Sequence, residues 1–182
     1  MLFPKFFAVF TAFAVTGASA QKCKCKANPC TTNLVKNGGF DSPLDGSPWI
    51  FSNMEVTSYK PRSSPQAALS QIEDSAQRNA IVQSVPLVEG ESYTLRYYWT
   101  IVGGTFAASG GCEISASLDN FHGDDALYLS DTPQGTYSLH EWTFTAPANS
   151  KLNLVVFCKR DATLDVNVDD VSIYPASCLN PT

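Results

Sequence analysis

The stretch "VNVDDVSIYP" (Val166–Pro175) indicates a β-strand whose alternation of apolar and polar residues changes parity in the middle. The two valines before the centre share one parity, and the valine and isoleucine after it share the other. Because residues two apart in a strand lie on one face, the change requires one extra residue in the strand. Asp169 and Asp170 occupy this position, so we predict a β-bulge at these two carboxylates.

Alternation with a period of two recurs along the chain, and helical periodicity is almost absent. Glycine, proline, asparagine and serine separate the alternating runs, which is typical of an all-β protein. We predict a jelly-roll β-sandwich of two antiparallel sheets, built from about eight or nine strands that share one core. The clearest runs are "AIVQSVPL" (80–87), "SYTLRYYWTI" (92–101), "CEISASLDN" (112–120), "HEWTFTAP" (140–147) and "KLNLVVFCKR" (151–160).

Residues 1–20, "MLFPKFFAVFTAFAVTGASA", form an apolar stretch with one lysine and a small-residue end. This composition is typical of a secretory signal peptide cleaved after Ala20. No later apolar run is long enough to cross a bilayer, so we expect no membrane partner. The protein is expected to be secreted, either extracellular or associated with the cell wall. We place a cysteine-rich arm at 21–32 and one β-sandwich domain at 33–178.

The chain is acidic, with 12 lysine and arginine residues against 17 aspartate and glutamate residues, a formal net charge of −5. Removing Lys5 with the signal peptide makes this −6. No basic patch is visible, which argues against a nucleic-acid partner. The sequence lacks the G-x-S-x-G, H-E-x-x-H and P-loop motifs, and its acidic residues show no motif for a glycosidase pair. We therefore expect no catalytic activity.

Six cysteines follow the signal peptide, and an even number in a secreted chain predicts disulfides. The spacing in "KCKCKANPC" matches no common zinc pattern. Cys112 and Cys158 lie on the core parity of their own strands, so we expect a disulfide between neighbouring strands. Cys178 is expected to pair with the N-terminal group, most simply with Cys30, because both flank the domain. The pairing of the other two N-terminal cysteines stays open.

Three segments in order carry a family resemblance: "NLVKNGGFDSPLDGSPW" (33–49), "IVQSVPLVEGESYTLRYYW" (81–99) and "FTAPANSKLNLVVFCKRDATLDVNVDDVSI" (144–173). They resemble the CenC-type carbohydrate-binding modules of families four and nine and the related family twenty-two. The short chain with six cysteines looks like secreted ascomycete fungal proteins of this type. The resemblance implies a galactose-binding-like jelly roll, no catalysis, a polysaccharide or oligosaccharide ligand and a structural calcium ion.

The resemblance also implies which residues hold the calcium ion. They are the carbonyl of Gly39 and the side chains of Asp41 and Asp169, with a further ligand from "RSSPQAAL" (62–69). Calcium prefers carboxylate and carbonyl oxygens, which a bulged carboxylate beside a glycine-rich turn supplies. The alternative is a solvated bulge with two surface aspartates.

Sugar-binding modules stack aromatic rings on the apolar face of a sugar and read its hydroxyls with polar groups. Arg96, Tyr98 and Phe157 have the parity opposite to the core, and they would line one concave face if their strands adjoin. Trp49, in the turn "GSPW", is either a ring platform or a plug under the sheet. His140 has the buried parity and is expected in the core. Candidates for the rim of the groove are the loop residues Phe121, His122 and Tyr128.

We therefore predict a secreted, non-catalytic carbohydrate-binding module. The solvent-facing strand positions offer few rings, so an alternative is a secreted cell-wall or host-interaction protein that uses the same scaffold without binding a glycan. The specific sugar depends on loop geometry, which a fold class does not determine.

Overall fold

A computed structural model describes residues 30–42, 47–63, 65–73, 77–105, 111–119, 121–129, 135–148, 150–159 and 162–178, with the backbone alone for 121–124. The expected signal peptide, most of the cysteine-rich arm and the cysteines Cys23 and Cys25 lie outside these residues.

Ten strands make up almost all the regular structure of the described residues. They are β1 (Ile50–Ser52), β2 (Met54–Thr57), β3 (Ala67–Ile72), β4 (Arg78–Ser84), β5 (Ser92–Thr105), β6 (Cys112–Leu118), β7 (Phe121–Tyr128), β8 (Ser138–Thr145), β9 (Lys151–Cys158) and β10 (Thr163–Pro175). A single turn of 3₁₀-helix, Ala176–Cys178, follows β10. None of the described segments is a helix that is long and apolar enough to cross a membrane.

The strands form two five-stranded antiparallel sheets, which confirms the predicted fold class. The first sheet has the order β1-β4-β9-β6-β7 and the second has the order β2-β3-β10-β5-β8. Each strand turns its apolar parity inward, so the core lies between the sheets. Fully buried side chains from both sheets include Leu95, Tyr97, Ile114, Leu154, Leu164 and Ile173.

The predicted β-bulge is present in β10. Asp169 lies opposite Tyr98 of β5, and Ser172 lies opposite Arg96, so three steps along β10 match two steps along β5. Asp170 is the extra residue and has a φ of 50°. This is the left-handed region, which non-glycine residues adopt only where surrounding contacts hold them.

The bulge coincides with a change of neighbour on the other edge of β10. Before the bulge, β10 pairs with β3 as far as Val168. After it, the N-terminal segment takes over: Leu34 N donates to the Ile173 carbonyl at 3.1 Å, and Val171 N donates to the Gly38 carbonyl at 2.9 Å. Residues 33–40 therefore continue the second sheet where β3 ends.

Both predicted disulfides are present. Cys112 and Cys158 are directly paired residues of β6 and β9, and their side chains form one bridge. Cys30 and Cys178 form the other, with a sequence separation of 148 residues. The first bridge fastens two strands of one sheet, and the second joins the two ends of the described chain.

Candidate functional site

The outer faces of the two sheets differ in what lies on them. The outer face of the second sheet carries residues 59–63, which cross over β10 and β5; we call it the covered face. Asn167, buried on β10, donates its side-chain amide to the carbonyls of Tyr59 at 2.7 Å and Lys60 at 3.1 Å. Tyr137 donates its hydroxyl to the Lys60 carbonyl at 2.9 Å. These bonds hold the 59–63 segment against the sheet.

Arg62 closes the covered face over Tyr98. Its guanidinium carbon lies 3.4 Å from the centre of the Tyr98 ring, and the same guanidinium forms an ion pair with Asp170. A guanidinium stacked on an aromatic face is a stabilising contact. One face of the Tyr98 ring is therefore already covered by the protein itself.

Arg96 lies beside Tyr98 and also has a protein partner. Its Nε is 2.8 Å from Glu141 Oε1, at an angle that does not make a hydrogen bond. Arg96 and Tyr98 line a small polar pocket of about 280 Å³. The other lining residues come from the bulge and the N-terminal segment and include Asn33, Gly39, Asp170 and Tyr174.

Asp169 is fully buried and accepts three backbone hydrogen bonds. Its Oδ2 accepts from the N–H groups of Arg62 at 2.9 Å and Ser63 at 3.1 Å, and its Oδ1 accepts from Asp170 N at 2.7 Å. Burial raises the pKa of this carboxyl from 3.8 to about 6, although the backbone hydrogen bonds to Ser63, Asp170 and Arg62 act in the opposite direction. The carboxylate holds the 59–63 segment against the sheet, and its role as a calcium ligand stays a prediction.

The next carboxylate, Asp170, is the one that meets the N-terminal glycine turn. A methyl group placed on Gly39 would lie 3.0 Å from Asp41 Oδ2 and 3.5 Å from Asp170 Oδ1. Ser63 donates its hydroxyl to Asp170 Oδ1 at 2.7 Å. The described residues hold no cluster of three or more His, Cys, Asp or Glu side chains suited to a metal, so carbonyls would have to supply part of any site. Asp41 and Asp170 both approach Gly39, so Asp170 is a second candidate from the bulge for the predicted calcium ligand.

The outer face of the first sheet, which we call the open face, presents a row of four large side chains. Arg78 lies opposite Phe157, Phe157 opposite Glu113, and Glu113 opposite Tyr128, so the row crosses β4, β9, β6 and β7. Neighbouring strands are about 4.8 Å apart, which places Phe157 and Tyr128 about 10 Å apart. Phe157 is half-buried, whereas the side chain of Tyr128 is 61% exposed.

Two cations lie over the two rings of this row. The guanidinium carbon of Arg78 is 5.3 Å from the centre of the Phe157 ring, and the ammonium of Lys159 is 5.8 Å from the centre of the Tyr128 ring. The next row along the strands consists of short side chains, so the large row stands beside a lower strip. That strip is formed by Ala80, Val155, Ser115 and Ala126.

The predicted sugar-binding residues do not come together. Phe157 lies on β9 of the first sheet, whereas Arg96 and Tyr98 lie on β5 of the second, so the sandwich core separates them. The condition for one shared face, that their strands adjoin, is not met, because parity places a residue inward or outward without specifying its sheet. Arg78 and Glu113, which flank Phe157, were missed. Their outward parity was visible in the sequence, but their adjacency depends on strand order.

Trp49 is buried under the sheet and is not a ring platform for a sugar. It is only 4% exposed, its Nε1 donates to the Asn37 carbonyl at 2.9 Å, and its ring centre lies 5.5 Å from that of Phe40. Tyr128, predicted in a rim loop, is instead the last residue of a strand. The side chains of Phe121 and His122 lie outside the described residues.

His140 points between the sheets, as its parity predicts, and reaches the opposite sheet. Its Nε2 is 2.6 Å from Asp125 Oδ2 of β7, and both side chains are largely buried. The ring of Tyr97 lies 5.1 Å from that of His140. Burial raises the pKa of the Tyr97 hydroxyl, and nearby Asp125 raises it further. The His140–Asp125 contact joins the edge strands of the two sheets.

At the level of sequence, no family model matches the chain, and no curated protein matches it either. Solved structures match well. A family 16 carbohydrate-binding module superimposes with a TM-score of 0.55 at 14% identity, over 78% of this chain and 99% of that one. TmCBM61, solved in complex with β-1,4-galactotriose, gives a TM-score of 0.54 at 16% identity, over 79% and 99%.

This chain has the fold of carbohydrate-binding modules. The same fold also occurs in a cyclase from Fischerella sp. TAU, solved with 4-(1H-indol-3-yl)butan-2-one, which gives a TM-score of 0.55 at 16% identity, over 78% of this chain and 96% of that one. Identities this low establish the fold alone. Because one fold serves both binding and catalysis, function has to be argued from the surface of this chain.

Proposed function

We propose that the protein is a secreted, non-catalytic carbohydrate-binding module that binds a polysaccharide or oligosaccharide on the open face. The observation that carries the proposal is the placement of Phe157 and Tyr128 in one row across adjacent strands of that face. The equivalent ring on the other sheet, Tyr98, is covered by Arg62. Among the described residues, the open face is therefore where two outward rings stand in one row across adjacent strands.

The row supplies both kinds of contact that sugar recognition needs. Rings accept the apolar faces of sugar units, while charged side chains form hydrogen bonds with hydroxyl groups. Glu113 accepts hydrogen bonds, and Arg78 and Lys159 donate them. The low strip beside the row leaves space for a chain that runs across the strands.

The test is a glycan array followed by titration calorimetry with the best ligand. Phe157→Ala and Tyr128→Ala should each weaken binding by about 1–3 kcal/mol, taking the stacking of a base on a ring as the guide. Tyr59→Ala is a matched control, since this ring is 54% exposed and carries Lys60 at 5.0 Å on the covered face. An equal loss in all three variants would refute the proposed site.

The array also decides the alternative function. Retention on no glycan, together with capture of a protein partner from the cell wall or a host, would favour a structural or interaction role on this scaffold. On the resemblance of the three segments, we also propose that the module is of the CenC type, of families four and nine or the related family twenty-two, in a fungal secreted protein.

A structural calcium ion is also part of the proposal. The Gly39 carbonyl, Asp41 and Asp170 would hold it, where two carboxylate oxygens converge over a residue without a side chain. An ion there would link the N-terminal segment to β10 beside the bulge. Calcium binds six to eight oxygen atoms, so carbonyls and water would complete the site.

A further inference from the structure

We infer that the open face selects glycans that carry carboxylate groups, such as chains of uronic acids. This inference rests on the proposed function and specifies its ligand class. It comes from the cations of the row, because rings and hydroxyl-binding groups alone would suit a neutral sugar equally well.

The cationic side chains beside the outward rings of the two faces differ in whether a carboxylate is paired with them. On the covered face, Arg62 is paired with Asp170 and Arg96 with Glu141. On the open face, Arg78 and Lys159 form no ion pair with any described residue, although each is held over a ring. An exposed cation that is positioned by a ring but lacks a carboxylate is available to an anionic ligand.

The position of the acidic residue supports the same assignment. Glu113 lies between the two rings, so the row has a negative centre and a positive group toward each end. From β4 to β7 the row spans three strand spacings, about 14 Å. Ligand carboxylates are therefore expected at the two ends, beside Arg78 and Lys159, with hydroxyl groups at Glu113.

The excess of positive charge on the open face is opposite in sign to the charge of the whole chain. The formal net charge is −5, and yet the described charged side chains of the open face are Arg78, Lys151 and Lys159 against Glu113 and Asp119. A local field opposite in sign to the net charge favours a ligand of the opposite charge at that surface.

The experiment compares charged and uncharged forms of the same polymer. Short oligogalacturonates and alginate oligomers are titrated into the full secreted protein, and each is matched by its fully methyl-esterified form. The acids should bind about four- to twenty-fivefold more tightly than their esters, since each of the two exposed ion pairs contributes up to about 1 kcal/mol. The difference should shrink at high salt because exposed charges are screened.

Two variants assign the effect to the row. Arg78→Gln and Lys159→Gln should each lower affinity for the acid about two- to fivefold and lower affinity for the ester by less, because glutamine keeps an N–H donor for hydroxyl groups but loses the charge. Lys60→Gln, which removes a cation from a ring on the covered face, should change neither.

Equal affinity for acid and ester, or the absence of any effect of salt, would overturn the inference. Binding to neutral glycans with no preference for either acid would remove the inference and leave the proposed function standing. Binding to no glycan at all would remove both.

Discussion

The covered and open faces begin from the same pattern and end in different chemistry. Each has an outward ring next to a cation: Tyr98 with Arg62, and Phe157 with Arg78. On the covered face, the cation is also paired with Asp170 and belongs to a segment held by several hydrogen bonds. On the open face, no described segment crosses the strands. An aromatic residue with outward parity therefore becomes a binding surface only where the chain does not fold back over it.

The largest expected effect is on the covered face. Asp169→Ala should lower the free energy of unfolding by about 4 kcal/mol, because it leaves three backbone donors without an acceptor and each costs about 1–3 kcal/mol. Urea denaturation measures this. Glycan affinity of the remaining folded protein should be unchanged, and a loss of affinity without a loss of stability would reverse the assignment of the two faces.

The same carboxyl predicts a dependence of stability on pH. Its pKa is about 6 in the folded protein, against an ordinary value of 3.8 for an aspartate side chain. The folded state thus holds this proton more tightly than the unfolded state, so the contribution is present below about pH 4 and is lost as the pH rises through 6. The loss amounts to about 3 kcal/mol, at about 1.4 kcal/mol per pKa unit.

Asp169→Asn is the variant that tests this dependence, with unfolding followed in chelator so that no metal contributes. It should remove the decrease between pH 4 and 6, although an amide opposite N–H donors will also lower stability at every pH. A decrease of the same size in the variant would assign the pH dependence to other groups.

Removal of calcium should have the next largest effect, again on the covered face. An ion that binds only the native state stabilises it by about 2.7 kcal/mol at a hundred times its dissociation constant. Chelation should therefore lower the melting temperature by about 5–10 °C for a domain of this size. Asp170→Ala should make the protein insensitive to chelator, whereas Asp165→Ala, on the same strand, should not. Identical melting curves with calcium and with chelator would exclude the ion.

The smallest expected effects come from removing one ring on each face, and they test most directly whether the two faces differ in role. Tyr98→Ala should lower the free energy of unfolding by about 1–2 kcal/mol through loss of the Arg62 contact, with glycan affinity unchanged. Phe157→Ala should cost less stability, because its ring is only half-buried, and should weaken glycan binding instead. Calorimetric titration and urea denaturation of both variants give the two values, and parallel behaviour would mean that the faces do not differ in role.

Features that depend on the alternation of neighbouring residues along one strand could be predicted from the sequence. Parity alone identified the bulge at Asp169 and Asp170 and the inward placement of Cys112 and Cys158. The direction of the side chains at the bulge was not predictable: both carboxylates contact the 59–63 segment, and Asp170, with its positive φ, also approaches Gly39. Strand order was also not predictable from parity, so Phe157 was grouped with Tyr98.

The bridge between Cys30 and Cys178 determines how the domain transmits mechanical load. Its two Cα atoms are 5.1 Å apart, and the chain between them, across a sequence separation of 148 residues, includes both sheets. A pull applied to the flanks of the domain passes through one covalent bond and leaves the hydrogen bonds of the sandwich unloaded. While that bond is intact, the domain is almost inextensible between its flanks. Reduction would transfer the force to β10 and its partners, whose hydrogen bonds would then carry it.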